Sequence, residues 1–242
     1  ARGARGERGG VPMSAAAARL ARWVLGGLFI YLGLSKVLHG AEFLKYVQEQ
    51  LLVRNPFFAG GIAAVAPWLE VLYGVWLLTG IARPAAAVIG RWQLGIVFII
   101  MGLHKALPHP EAFLKLVRQY DLVTHPLLLN AIGAALPWFE VFCGVLLLAG
   151  VAVRGTALNL VVMLVPFTVV VIWRALGIAA ATGLPFCAVK FDCGCGGGEV
   201  YICAKVIENT VLLLLSVWLL RGAGRPLCLR HTLRPGQGSA DA

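Results

Sequence analysis

The sequence predicts an all-α, polytopic membrane helix bundle of six transmembrane helices arranged as three hairpin repeats. Three observations carry this expectation. Of the 242 residues, 60% are hydrophobic and only 13% charged, where a soluble domain carries about a quarter charged residues. Six segments approach the ~20 apolar residues that a helix needs to cross the hydrocarbon layer: residues 15–38, 57–81, 84–107, 127–153, 156–181 and 200–220. The polar landmarks inside these segments recur at an almost constant offset. The chain left outside the segments is too short to bury a core of its own.

In chain order, residues 1–14 are Arg/Gly-rich and read as a disordered leader, or as a start placed upstream of Met13. Residues 15–83 form the first hairpin. Its Gly33-Leu34-Ser35-Lys36 returns as Gly102-Leu103-His104-Lys105, and its Pro67-Trp68-Leu69-Glu70 as Pro137-Trp138-Phe139-Glu140. After each glutamate the pattern V-x-x-G-V-x-L-L-x-G runs from Val71 to Gly80 and from Val141 to Gly150. A weaker third copy aligns Arg174 with Lys105 and Glu208 with Glu140. Internal repetition of this kind is a common way to build a membrane bundle. Residues 84–221 are therefore read as a four-helix domain, with a cysteine loop at 182–204, followed by a tail at 222–242.

The links at 40–56 and 108–126 carry apolar residues at helical spacing (Phe43, Leu44, Val47 and Leu51; Phe113, Leu114 and Val117) with Lys45, Glu49, Lys115 and Arg118 between them. Short amphipathic helices on the outer membrane surface fit this pattern. The third link has no such helix and carries cysteines instead.

The formal net charge of +10 reads as the cationic fringe of a membrane protein. No aromatic-interleaved basic patch points to nucleic acid, so the expected surroundings are lipid and protein. With the N-terminus cytoplasmic, the 21 Lys and Arg residues split twelve inside to nine outside, which is the sense of the positive-inside rule. Both termini are then cytoplasmic, and the cysteine loop faces the periplasm of a bacterial inner membrane, where disulfides persist.

Lys36, Glu70, Lys105, Glu140, Arg174 and Glu208 lie within or at the ends of apolar segments. An unpaired charge there is costly, so such groups pair, neutralise or line a wet cavity. The simplest pairing is Lys36–Glu70, Lys105–Glu140 and Arg174–Glu208; pairing across repeats is equally allowed. These residues fit ion pairs that dock the hairpins, and they also fit a proton path or a polar site for a quinone head group. His39, His104, His109, His125 and His231 form no ligand pattern and read as interfacial residues.

Four of the six cysteines fall within 17 residues: Cys187, Cys193, Cys195 and Cys203. Asp192-Cys193-Gly194-Cys195-Gly196-Gly197-Gly198 places two thiols one residue apart on a glycine-rich backbone. Three chemistries are open to this set. A Cys193–Cys195 disulfide closes a very small, easily reduced ring suited to thiol–disulfide exchange, with Cys187 and Cys203 as resolving or disulfide partners. One or two stable disulfides pin the loop. Tetrahedral zinc takes four thiolates, although the C-x5-C-x-C-x7-C spacing lacks the usual close pair, and no metal is assigned. The cysteines are expected on the solvent-accessible outer face.

Residues 91–220 resemble the MauE family of methylamine-utilisation membrane proteins, related to a wider DoxX-like group. The resemblance rests on Gly102-x-x-Lys105, the Phe113 link, Pro137-Trp138-x-Glu140, Gly144 with the leucine run to Gly150, Asp192-Cys193-Gly194-Cys195-Gly196-Gly197, and Asn209 in the last helix. It implies a four-helix core, here with an additional N-terminal hairpin, and a role in maturing periplasmic partners by forming their disulfides. It makes Cys193 and Cys195 the redox pair and Lys105 and Glu140 the intramembrane polar residues. Some DoxX-like relatives are linked to quinone-coupled sulfur oxidation, which makes quinone the one cofactor to consider. The competing expectation is a non-catalytic accessory subunit of a larger respiratory or photosynthetic membrane complex, docked through the extra hairpin.

Overall fold

A computed structural model describes residues 15–50, 56–80, 83–107, 110–120, 125–194, 199–221 and 228. The leader 1–14, Cys195 and all of the tail 222–242 except Cys228 lie outside the described residues. So do His109 and His231.

Among the described residues the chain forms eight α-helices, six of them long and apolar enough to cross a membrane. Helices α1 (Ala15–Leu38), α3 (Pro56–Thr79), α4 (Arg83–Ala106) and α6 (Pro126–Ala149) each have 24 residues. At 1.5 Å per residue that is about 36 Å, enough for a ~30 Å hydrocarbon layer. Helix α7 (Val153–Thr182) has 30 residues, longer than a ~30 Å layer requires, and leads into the cysteine loop. Helix α8 (Ile202–Leu220) returns with 19 residues. Pro56 and Pro126 open α3 and α6, where a missing backbone N–H costs nothing and the fixed φ suits the first turn.

The long helices pair as α1 with α3, α4 with α6, and α7 with α8. The pairs then touch through α3–α4, α6–α7, α1–α8 and α4–α8. Small residues let the first two pairs close. A Cβ on Gly26 would lie 2.8 Å from Gly74 O, and one on Gly95 would lie 2.9 Å from Gly144 O. Small residues bring helix backbones together in this way where lipid supplies no hydrophobic drive between helices. The core between the pairs is apolar, with Phe29, Leu94, Phe98, Leu147, Leu160 and Leu215 buried. Tyr73 lies edge-on to Phe29 at 4.8 Å and donates its hydroxyl to Ala86 O at 2.9 Å, tying α3 to the start of α4.

The links take two forms. Helices α2 (Gly40–Gln50) and α5 (Pro110–Gln119) occupy the first two. They pack against α3 and α6, burying Val47 and Phe113, so these helices cap the bundle as well as facing its surroundings. The third link is a 3-10 turn at Phe186–Ala188 and a two-stranded antiparallel ribbon. Its strands β1 (Lys190–Asp192) and β2 (Glu199–Tyr201) pair Lys190 with Tyr201 and Asp192 with Glu199. Cys193 and Gly194 follow directly on β1.

Candidate functional site

The two intramembrane ion pairs lie where the spacing places them. Lys36 Nζ is 2.5 Å from Glu70 Oε1. Lys105 Nζ donates to both carboxylate oxygens of Glu140, at 2.6 and 2.8 Å. A feature missed in the sequence completes each pair. The Phe43 ring lies 5.3 Å from Lys36 Nζ, and the Phe113 ring 5.5 Å from Lys105 Nζ, within the ~6 Å range of a cation–π contact. Both phenylalanines are first-turn residues of the link helices, and their matched positions in the repeat were the available signal.

The third pair is different, and the expected Arg174–Glu208 contact does not form. Glu208 bonds instead to Lys205, one turn earlier on α8, at 2.9 Å. Arg174 sits in the C-terminal third of α7. It donates to Gln119 O at the end of α5 at 2.5 Å and stacks on Tyr120 and Phe191. Glu208 finds a base within its own helix, while the end of α5 offers Arg174 a free carbonyl and two aromatic faces. Lys205 was the nearer cation in the sequence.

The cysteine loop is pinned at its base. Cys187 in the 3-10 turn and Cys203 in the first turn of α8 are joined by a disulfide with Cα atoms 5.0 Å apart. Two of the four sulfurs that a zinc site would require are therefore engaged with each other. Above this bridge, Gly194 takes a left-handed φ of +80° and donates its N–H to Asp192 Oδ1 at 2.9 Å. A glycine adopts that angle without strain.

Cys193 corrects a second expectation. It is not on the accessible outer face: it is 1% exposed and packs with Val171, Ala175, Val189 and Ile202. Tyr120 donates its hydroxyl to Cys193 O at 3.1 Å and draws the turn down onto the bundle. The glycine-rich composition suggested an open loop, but the apolar flanks Val189, Phe191 and Val200 fold it inward.

Beneath the loop lies a cavity of about 390 Å³ between α4, α5, α6, α7 and α8. Its walls are largely apolar, with Phe98, Phe113, Met163 and Phe167 among them. Four chemically distinctive groups border it: Lys105, Glu140, Asn209 and Cys193. Asn209 Nδ2 donates to Thr168 Oγ1 at 3.3 Å. The cavity thus brings together an ion pair from the second hairpin and a cysteine from the third, which the sequence separates by more than fifty residues. Volumes of roughly 300–1,000 Å³ with apolar walls and a few polar groups are typical of small-molecule sites.

A family model described as methylamine utilisation protein MauE matches residues 14–90 and again residues 83–222. The chain belongs to the MauE family. It is a multi-pass membrane protein of that family, and the extra N-terminal hairpin is itself matched by the MauE model. No curated protein and no solved structure matches the chain. Within this MauE-family bundle the second hairpin's charged pair borders the cavity that Cys193 lines. Lys36 and Glu70 do not border it. Among the described residues, Cys143 on α6 is a buried free thiol, and buried Arg91 on α4 donates to Cys228 Sγ at 2.7 Å. The sequence reading assigned neither of these a role.

Proposed function

We propose that this MauE-family protein is a membrane thiol–disulfide protein that uses Cys193 and Cys195 to hand oxidising equivalents to periplasmic partner proteins. The observation that carries this reading is the division of labour among the cysteines. Cys187 and Cys203 hold the loop in place, and Cys193 sits in a pinned glycine turn at the wall of a cavity that also holds a charged pair. A structural loop needs the first feature and has no use for the second. In the cycle, a Cys193–Cys195 disulfide accepts two electrons from a partner's two thiols, which form the partner's disulfide; the two protons those thiols release are taken up by Cys193 and Cys195. Both termini lie in the cytoplasm and the loop faces the periplasm of a bacterial inner membrane, as the basic residues favour.

The test is a Cys193→Ser, Cys195→Ser double variant in the intact chain. It should insert and fold as the wild type does and lose partner oxidation. If it folds and retains full activity, the protein acts instead as an accessory subunit of a larger complex, docked through its extra hairpin. A reporter fused after Leu220 should prove cytoplasmic; a periplasmic reporter overturns the orientation.

A further inference from the structure

We infer that the crevice between the end of α5 and the C-terminal third of α7 binds the phosphate of an anionic phospholipid, with Arg174 as its anchor. Arg174 is a charge without a counter-charge. It does not pair with Glu208, and among the described residues no carboxylate takes that place. Its guanidinium carries five N–H donors. Nη1 and Nη2 reach the two oxygens of Gln119, both neutral, at 2.5 and 3.5 Å. Nε is buried without a partner among the described residues. The Tyr120 and Phe191 rings, 4.9 and 5.7 Å from the guanidinium carbon, bring no negative charge. Asp192, next to Phe191, accepts the Gly194 N–H instead. A cation bordering an apolar segment calls for an anion, and here it has to come from outside the described chain.

The position of Arg174 selects a lipid phosphate. The nineteen residues between Arg154 and Arg174 carry no charge. At 1.5 Å each, the two arginines stand about 30 Å apart along α7, one hydrocarbon thickness. With Arg154 at one face of the membrane, Arg174 meets the head groups of the other. Trp173 beside it is 62% exposed, and tryptophan gathers at that boundary. The crevice has a volume of about 550 Å³ and is walled by Trp173, Leu176 and Ile178 as well as Arg174 and Gln119. From Trp173 back along α7, Val169, Val165 and Val162 are exposed at helical spacing. One acyl chain can therefore lie on this stripe while its phosphate meets the guanidinium, whose planar fork takes two phosphate oxygens at once. Arg118 in the last turn of α5 adds positive charge that favours an anionic head group over a zwitterionic one. The site lies one ring away from the cysteine turn, since Tyr120 also donates to Cys193 O.

The test uses the full-length protein in dodecylmaltoside. Dioleoylphosphatidylglycerol is titrated against dioleoylphosphatidylcholine, and the first bound lipid is read by native mass spectrometry. Wild type should take phosphatidylglycerol about tenfold more tightly or better. Arg174→Gln should lower that affinity to the phosphatidylcholine level, and Arg174→Lys, which keeps the charge without the planar fork, should recover only part of it. Gly177→Leu fills the crevice from a position where an added Cβ meets nothing within 4 Å, so it should fold and weaken binding by a similar factor. Glycerol 3-phosphate, which has the phosphate without the chains, should bind at least about tenfold more weakly than the lipid. A diazirine on the acyl chain of phosphatidylglycerol should label the α7 stripe of wild type, which keeps the idea testable if Arg174→Gln does not fold. Equal affinity for the two lipids overturns the inference, as does phosphatidylglycerol binding that survives both Arg174→Gln and Gly177→Leu. Glycerol 3-phosphate bound as tightly as the lipid makes this a site for soluble phosphates and also overturns it. Label found only on other helices does the same.

Discussion

In the first hairpin the side chains of Lys36 and Glu70 keep 31% and 16% of their surface exposed, while in the second those of Lys105 and Glu140 keep 6% each. The two hairpins are otherwise alike. Each has two 24-residue helices closing on a glycine pair, a lysine near the end of the first helix, a glutamate midway along the second, and a phenylalanine over the lysine. Glu70 uses one carboxylate oxygen and leaves the other, Oε2, buried without a hydrogen-bond partner among the described residues; Glu140 uses both. The contrast comes from the cover. α7, Asn209 of α8 and the cysteine loop close over the second pair and leave a cavity there. What the hairpins share therefore serves docking, and what they do not share marks the site.

The largest effect expected from this comparison is in the two glutamates. Glu140→Ala strands a buried ammonium and should cost about 3–5 kcal/mol, whereas Lys105→Met with Glu140→Met should be near neutral. Glu70→Ala should cost roughly 1 kcal/mol, nearer to the range of exposed pairs. Thermal unfolding in one detergent measures all three. Equal losses for Glu70→Ala and Glu140→Ala would break the comparison.

The next effect concerns the third link, where a covalent bridge replaces the amphipathic helix of the other two. Cys187 and Cys203 are 16 residues apart, and closing a loop of about that length stabilises by about 3 kcal/mol. Cys187→Ser with Cys203→Ser should lower the unfolding midpoint and raise proteolysis within 183–201, while leaving the first two hairpins protected. Unchanged proteolysis of the loop would show that the ribbon holds itself.

The glycine contacts should behave alike in both hairpins. A Cβ on Gly74 would lie 2.6 Å from Gly26 O, and one on Gly144 would lie 2.5 Å from Gly95 O. Backbone cannot yield as a flexible side chain does. Gly74→Ala and Gly144→Ala should each cost about 1–3 kcal/mol, as overpacking does, and by similar amounts. A clear difference between them would show that the two hairpins pack differently after all. The smallest effect is Tyr120→Phe, which removes the hydroxyl bond to Cys193 O. It should cost about 0.5–1.5 kcal/mol and make Cys193 more reactive to maleimide. No change in reactivity would mean that Tyr120 does not hold the turn down.

Much of the fold was legible because membranes impose blunt rules. Segment length located the long helices to within a few residues. The offset between Lys36 and Lys105, or Glu70 and Glu140, marked four charged residues that pair while leaving pairing within and across repeats equally open; the fold chose the pairing within each hairpin. The third pair was not legible. Arg174 and Glu208 stand at the right offset, but a base three residues away and a carbonyl at the end of α5 compete for them, and offset carries no information on such competitors. The third link was read correctly as lacking the amphipathic helix of the other two, and its Cys193 incorrectly as open to solvent. Its glycines describe what the backbone can do. The burial of Cys193 is decided by Val171, Ala175 and Val189, which only the fold brings to it. The cavity was illegible for the same reason, since its walls come from five helices.

The most direct test of the account is the oxidation state of the four loop cysteines in living cells, trapped with acid, alkylated and read by mass. Cys187 and Cys203 should be protected from alkylation under every condition. Cys193 and Cys195 should divide between protected and alkylated forms, becoming fully alkylated under dithiothreitol and recovering together when it is removed. If Cys193 and Cys195 stay in one state throughout, whether fully oxidised or fully reduced, the pair does not cycle and the central claim is contradicted.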